Sequence, residues 1–218
     1  MEIGIFGATG PAGRGLAARL AAVGHDVVVG SRDPERAKGI VEELRKRWGD
    51  RVATLRAAHN EEAAACEIVV IAVAWEAAAD TAAAHAEALA GKTVVSMANG
   101  LEKIRNEFRA VMPDEGSVAL AVQAAAPAAH VTAAFHHVPA AVFADLDSEM
   151  EDDITVVGDD DGARATVIEL VSSIPGVRAF DGGSLNNSVG LEAFAAVLLT
   201  ANLRHHGRGS VALRGIEP

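Results

Sequence analysis

A doubly wound α/β fold with a mostly parallel sheet is predicted by three features of this chain. A short apolar strand ending at Ile5-Phe6 runs into Gly7, Gly10 and Gly13, and then into a helical pattern at Leu16, Leu20 and Val23. Further strand-like runs at 26–30, 68–73 and 93–96 alternate with helix-length segments, the order of repeated β-α-β units. The runs are apolar almost throughout, as strands covered on both faces must be.

The first turn sets the chemistry. Glycines let the backbone bend sharply and approach a pyrophosphate, while the following helix aims its unpaired N–H groups and positive end at the charge. The spacing is Gly7-x-x-Gly10-x-x-Gly13, with Thr9 where the commoner G-x-G-x-x-G pattern has its second glycine. Tight strand-helix packing alone could explain the glycines, but a strand before and a helix after favour a dinucleotide. The candidate contacts are Gly7, Thr9, Gly10, Pro11 and Ala12.

The second strand, Asp26 to Gly30, ends at Ser31-Arg32, with Arg36 one helical turn on. NAD-binding folds usually carry an acid there to hold the ribose 2′-hydroxyl. A hydroxyl and two guanidinium groups suit a 2′-phosphate instead, because Arg offers bidentate, charge-assisted donors. Asp33 precedes Pro34 and so reads as a helix opening. NADP is therefore expected over NAD.

A charged helix is predicted from Pro34 to Trp48, a third strand from Arg51 to Leu55, and a helix start at Asn60. The run Ile68 to Val73 is the most apolar strand and ends at Ala74-Trp75. Ligands in an open parallel sheet sit beyond the strands' carboxyl ends, which puts Trp75 on the cofactor side. Equally, Trp75 could cap the core under a helix from Glu76 to Leu89. After the strand Thr93 to Ser96, Met97-Ala98-Asn99-Gly100 has the small residues a nicotinamide-side loop needs.

An alanine-rich helix from Ser117 to Ala128 precedes a strand, Val131 to Phe135, and then His136-His137-Val138-Pro139-Ala140. Neighbours on a strand point to opposite faces, so only one of the two histidines is expected to look into a given pocket. No histidine has zinc-ligand spacing, and no metal is expected. The strand Ile154 to Gly158 leads to Asp159-Asp160-Asp161, read as the acidic start of a helix carrying Val167, Leu170, Val171 and Ile174. The last helix follows Gly182-Gly183-Ser184. Its apolar surface, from Leu191, Phe194, Leu198 and Ala201 out to Val197 and Leu199, calls for burial by more than one neighbour. The stretch from Arg204 to Arg214 is basic, fit either to draw an anionic ligand tail or simply to be solvated.

Composition excludes several classes. The chain has 218 residues, enough for one large domain or one domain plus a small one. A formal net charge of −11 argues against nucleic acid or an anionic membrane surface as partner. Cys66 is the single cysteine, which suits a reducing cytoplasm and rules out an internal disulfide. No secretory signal or membrane-length apolar run is seen.

Taken together, these segments resemble the NADPH-dependent F420 reductases, the F420:NADP oxidoreductases, along nearly the whole chain. The shared stretches are Gly7 to Gly13, Gly30-Ser31-Arg32 with Arg36, Ala74-Trp75-Glu76, His136 to Leu146, Gly158 to Asp161, and Gly183 to Ser188. The His136 to Leu146 and Gly158 to Asp161 blocks are the specific ones. Arg36, Ala74 and the Met97 to Asn99 loop depart from the family pattern.

The resemblance implies an oxidoreductase, a homodimer, that passes a hydride between NADP(H) and the deazaflavin coenzyme F420. It implies a Rossmann-type NADP-binding domain over 1–135. A small C-terminal α/β domain over 136–218 would close the deazaflavin pocket and contribute to the dimer interface. Thr9, Gly10, Pro11 and Ala12 would hold the pyrophosphate, and Ser31, Arg32 and Arg36 the 2′-phosphate. Ala74, Trp75, Ala98, Asn99 and Ala140 would line the nicotinamide half. His136 and Val138 would border the deazaflavin, with 207–211 closing that pocket. His136 is expected to position the ring by a hydrogen bond, with no obligatory acid or base. Three alternatives stand beside this: a non-catalytic NADP-binding sensor, a related NADPH-dependent flavin or ferric reductase, and a short-chain dehydrogenase. The absence of any tyrosine nearly excludes the last.

Overall fold

The computed structural model describes residues 1–8 and 10–218. Its first half contains β1 (Glu2–Phe6), α1 (Pro11–Ala22), β2 (Asp26–Ser31), α2 (Pro34–Trp48), β3 (Leu55–His59), α3 (Asn60–Ala64), β4 (Ile68–Ile71), α4 (Ala78–Ala84), α5 (Ala86–Leu89) and β5 (Thr93–Ser96). A hairpin of β6 (Leu101–Ile104) and β7 (Glu107–Ala110) follows, then α6 (Val118–Ala125) and β8 (His130–Ala133). The chain continues through α7 (Ala140–Phe143), β9 (Asp152–Gly158), α8 (Asp161–Ser172), β10 (Val177–Asp181) and α9 (Ser188–His205).

Eight strands form one sheet in the order β10-β9-β8-β5-β4-β1-β2-β3. Every pairing in it is parallel except β8 with β9. That antiparallel contact spans only Thr132 with Gly158 and Ala133 with Val157. Beyond Ala133 the two strands part, and the opening between them is where the C-terminal segments gather.

Alternation along β1 divides the core. Ile3 and Ile5 pack with Leu16, Leu20, Ile40, Leu44, Val167 and Leu170 from α1, α2 and α8. Phe6 belongs to the other layer, with Ala63, Ala78, Ala82, Leu89, Val118 and Val122. Burying one large aliphatic side chain is worth roughly 1.5–3 kcal/mol, so two covered faces hold the sheet firmly.

Local signals place most ends. Asp33 caps α2 by accepting from Glu35 N at 3.1 Å, and Pro34 occupies the first turn. Asp160 caps α8 by accepting from Ala163 N at 2.8 Å, so an acid of the triple-Asp run does open a helix. The third strand lies later than expected, at 55–59. A 3-10 turn over Gly49–Val52 occupies the preceding residues and buries Val52. The helix expected from Glu76 to Leu89 is broken into a 3-10 turn (Trp75–Ala77), α4 and α5. The break falls at His85, whose ring packs on Phe6 at 4.9 Å between centroids. No helix among the described residues is long and apolar enough to cross a membrane.

Candidate functional site

The expected contact residues fall at the carboxyl ends of β1, β2, β4, β5 and β8. Strand order reverses at β1, whose neighbours are β2 on one side and β4 on the other. Such a switch point leaves a crevice open to ligand.

The turn after β1 is built for close approach. Gly7 has φ +82, and a Cβ there would stand 2.6 Å from Val73 Cγ1 and 2.7 Å from the Ala72 carbonyl oxygen. Gly10 is the N-cap of α1, and a Cβ on it would meet no atom of the described residues within 4 Å beyond its chain neighbours. No side chain among the described residues caps this helix, and Pro11 carries no N–H. The first-turn N–H groups that follow have no intrahelical acceptor and suit an anion. Thr9, also expected here, lies outside the described residues.

At the end of β2, Ser31 Oγ accepts from Asp33 N at 3.1 Å, and Asp33 is committed to its cap. Arg32 and Arg36 are exposed, and neither forms an ion pair among the described residues. At β4, Ala74 is exposed and Trp75 is half-buried against the Phe6 layer beside Val73. At β5, Ala98 is buried and Asn99 half-buried.

The structure corrects the expectation for the histidine pair. β8 ends at Ala133, and Phe135 takes φ +68, a left-handed conformation uncommon for an aromatic residue. His136 and His137 therefore lie in a turn, where strand alternation does not apply. Both line one cleft of about 200 Å³ together with Val138, Pro139, Ala140 and Ala141. Leu198, Leu199 and Asn202 of α9 form the facing wall, and Gly207 and Arg208 close it.

The two rings have different surroundings. His136 is 7% exposed. Asn99 Nδ2 donates to the His136 carbonyl oxygen at 3.1 Å, and Asn99 Oδ1 lies 3.0 Å from His136 Nδ1. His136 Nε2 is buried with no hydrogen-bond partner among the described residues. Burial, helped by the neighbouring His137, pushes the His136 imidazole down to about 3. His137 Nε2 meets the Leu191 carbonyl at 2.8 Å, and its ring stands edge-on to Phe194 at 5.3 Å. Burial lowers it too, and that hydrogen bond opposes the shift.

The closing segment is tied at two points. Gly209 exchanges two hydrogen bonds with the Asn202 amide, at 2.9 and 2.6 Å. Further on, Asp153 N donates to the Val211 carbonyl at 3.0 Å, and the Asp153 carboxylate accepts from Leu213 N. A larger cavity, about 430 Å³, lies apart from every expected contact residue, beside Arg19, Met150 and Ile174. There Arg19 donates to four carbonyl oxygens, from Val142 to Ser148, and is structural.

Comparison with known proteins gives the family. Residues 2–100 match the family model described as NADP oxidoreductase coenzyme F420-dependent. An F420-dependent NADP reductase of Methanocaldococcus jannaschii is 34% identical over 215 residues, covering 96% of each chain. The chain belongs to the F420-dependent NADP reductase family. A solved structure from Arthrobacter sp. FB24, titled as a candidate F420-dependent NADP reductase, superposes with TM-score 0.81 at 26% identity. The match covers 98% of this chain and 100% of that one. The metalloreductase STEAP3 of Rattus norvegicus is 29% identical over 91% of this chain, which spans only 37% of that longer protein.

Within this family member, three side chains near the cleft escape a reading of the sequence. Asn202 and Asp153 hold the closing segment, and Glu192 on α9 accepts from Val118 N and Ala119 N at 2.8 and 3.0 Å. Only Glu192 leaves a trace in the sequence: an acid standing inside an otherwise apolar helical stripe.

Proposed function

We propose that this enzyme exchanges a hydride between NADP(H) and the deazaflavin coenzyme F420. The carrying observation is the cleft between the His136 to Ala141 turn and α9, about 200 Å³, set at the same carboxyl edge of the sheet as the glycine turn. The two coenzymes supply both reactive carbons, so the chain's work is to align them and exclude water.

The residues suit that work. Gly10 and the uncapped start of α1 would take the pyrophosphate, with Gly7, Pro11, Ala12 and the expected Thr9. Ser31, Arg32 and Arg36 would grip the 2′-phosphate, and the two guanidinium groups stand ready because no acid among the described residues holds them. Ala74, Trp75, Ala98, Asn99 and Ala140 would flank the nicotinamide, and His136 and Val138 the deazaflavin. Arg208, exposed at the cleft mouth, would draw the anionic end of that ligand.

The division of labour is then 1–135 for NADP and 136–218 for closing the second pocket. We also propose a cytoplasmic homodimer. Phe194 and Val197 on α9 are 45% and 60% exposed, and large apolar groups set close together on one helix favour a partner surface. Sedimentation of the purified protein tests it, a monomer at all concentrations refuting the dimer.

Mixing the protein with NADPH and oxidised F420 tests the reaction itself. Loss of the deazaflavin's visible absorbance is the expected result. NADPH binding without bleaching would indicate the sensor instead. The likeness to STEAP3 favours a second reading, a flavin or ferric reductase. NADPH oxidation with FMN or ferric citrate, and none with F420, would establish it.

A further inference from the structure

We propose that Asn99 is a positioning residue that holds His136 as the neutral Nδ1–H tautomer, so that the imidazole meets the bound rings as a hydrogen-bond acceptor through Nε2. This rests on the reading of the cleft as the hydride-exchange site, and it changes what the site's histidine can do there.

The tautomer follows from the pair's geometry. The His136 carbonyl oxygen can only accept, so the amide edge facing it at 3.1 Å is the NH2 of Asn99. That fixes which way the amide points, a choice otherwise open. The other edge, Oδ1, can also only accept, and it lies 3.0 Å from Nδ1. Nδ1 therefore carries the proton and Nε2 a bare lone pair. Asn99 reads the backbone and the ring of one residue at once, which sets both the ring's position and its protonation.

Among the described residues, no group facing the ring favours a second proton. The groups facing the ring are His137, which opposes positive charge, and Asp153 across a small void. Asp153 is already neutralised by Arg178 at 2.7 and 2.6 Å. His136 thus stays neutral at working pH and gives no proton to the reaction.

The orphaned Nε2 points to a ligand. A buried acceptor left unpaired is costly, and this one belongs to a residue lining the cleft. The void it also borders is about 10 Å³, at the lower limit for one water. A planar amide-type N–H fits the requirement. Either the nicotinamide carboxamide or the deazaflavin imide could bring it.

The test needs no turnover. Two-bond proton–nitrogen spectra of 15N-histidine-labelled protein, assigned with His136→Gln, should show Nδ1 protonated and Nε2 bare from pH 5 to 8. Asn99→Ala should release the ring to the commoner Nε2–H form, while Asn99→Asp, still an acceptor, should keep Nδ1–H and bring a titration into that range. An Nε2–H tautomer in the wild type, or an unchanged one in a folded Asn99→Ala protein, overturns the proposal.

Adding NADPH or F420 should move the Nε2 resonance toward a hydrogen-bonded position. The acetylpyridine analogue of NADP, which lacks the amide N–H, and a deazaflavin methylated on its imide nitrogen tell the two sources apart. If both natural coenzymes bind and neither moves Nε2, the acceptor role is overturned. If neither coenzyme binds, the hydride-exchange reading fails, and the ligand-free tautomer still decides the Asn99 claim.

Discussion

Arg178 closes on Asp153 through two parallel hydrogen bonds, Nε to Oδ1 at 2.7 Å and a terminal nitrogen to Oδ2 at 2.6 Å, and both residues also hold the backbone of Leu213. Asp153 is buried on β9, where the sheet opens. The pair is the far anchor of the segment that closes the cleft, and Asn202 is the near one. Replacing Arg178 with Ala leaves a buried carboxylate without its cation. Breaking a fully buried pair costs about 3–5 kcal/mol, and the partial exposure of Arg178 brings the expected loss to roughly 2 kcal/mol. The apparent KM for F420 should rise several-fold while that for NADPH holds, and protease should cut within 207–213. Unaltered protection of that segment would rule out the anchor.

The anchor also carries a pH signature. The Arg178 guanidinium holds the Asp153 carboxyl below its ordinary range, against the pull of burial. Its contribution is therefore complete above the unfolded carboxylate value of about 4 and lost as pH falls through the lower folded value. The protection factors of amides 211–213, with the intrinsic pH dependence of exchange divided out, should fall in acid in the wild type. In Arg178→Ala they should be low at every pH.

Cofactor preference should turn on two exposed side chains. Asp33 is occupied as the α2 cap, so the β2 tip presents Ser31, Arg32 and Arg36 to the ribose. A hydrogen bond to a charged group is worth about 1.5–3 kcal/mol. Arg32→Ala and Arg36→Ala should each weaken NADPH binding by tenfold or more and leave NADH unchanged, as titration calorimetry would show. Asp33→Ala should instead lower Tm by the loss of a cap, about 1 kcal/mol, with no change in preference.

What the sequence disclosed and what it hid divide along a physical line. α2 runs from Pro34 to Trp48 as expected because its signals are local: Asp33 and Pro34 start it and Gly49 stops it. The parallel order follows from apolar runs that admit only a covered sheet. The β6–β7 hairpin was missed because it lacks an apolar stripe of its own. Its backbone at Phe108 exchanges hydrogen bonds with Thr200 of α9, a partner 92 residues away. At the site, motif residues were legible singly. That Asn99 grips His136 was not, since a loop after β5 and a turn after β8 meet only in the folded sheet.

Glu192 should make stability fall with rising pH. Its carboxyl is fully buried on α9, and burial pushes it up to about 7 while the Val118 and Ala119 N–H groups pull it back. A group raised in the folded state stabilises fully below its unfolded value and loses that contribution as pH climbs through the folded one. From about pH 4.5 to 7 the fold should lose up to roughly 3 kcal/mol, at ~1.4 kcal/mol per pKa unit. Glu192→Gln should flatten that slope in urea titrations. Since its amide meets a backbone N–H, it should also be less stable than wild type at pH 5. A slope that survives the substitution would assign the effect to another group.

Two glycines of one turn should fail in opposite ways. Gly7→Ala forces a side chain into φ +82 and against Val73 and the Ala72 backbone, contacts too short for the sheet to absorb. It should lower Tm by many degrees and lose NADPH only as a consequence. At Gly10, φ is −85 and an added Cβ meets no atom of the described residues within 4 Å beyond its chain neighbours. Gly10→Ala should fold with Tm within a few degrees of wild type, since Ala in place of Gly at an N-cap costs about 1 kcal/mol, which in a chain of this size moves Tm little. The space its methyl fills is the approach to the uncapped start of α1, so NADPH affinity should drop by at least tenfold in the folded variant. Wild-type affinity in Gly10→Ala would place the pyrophosphate elsewhere.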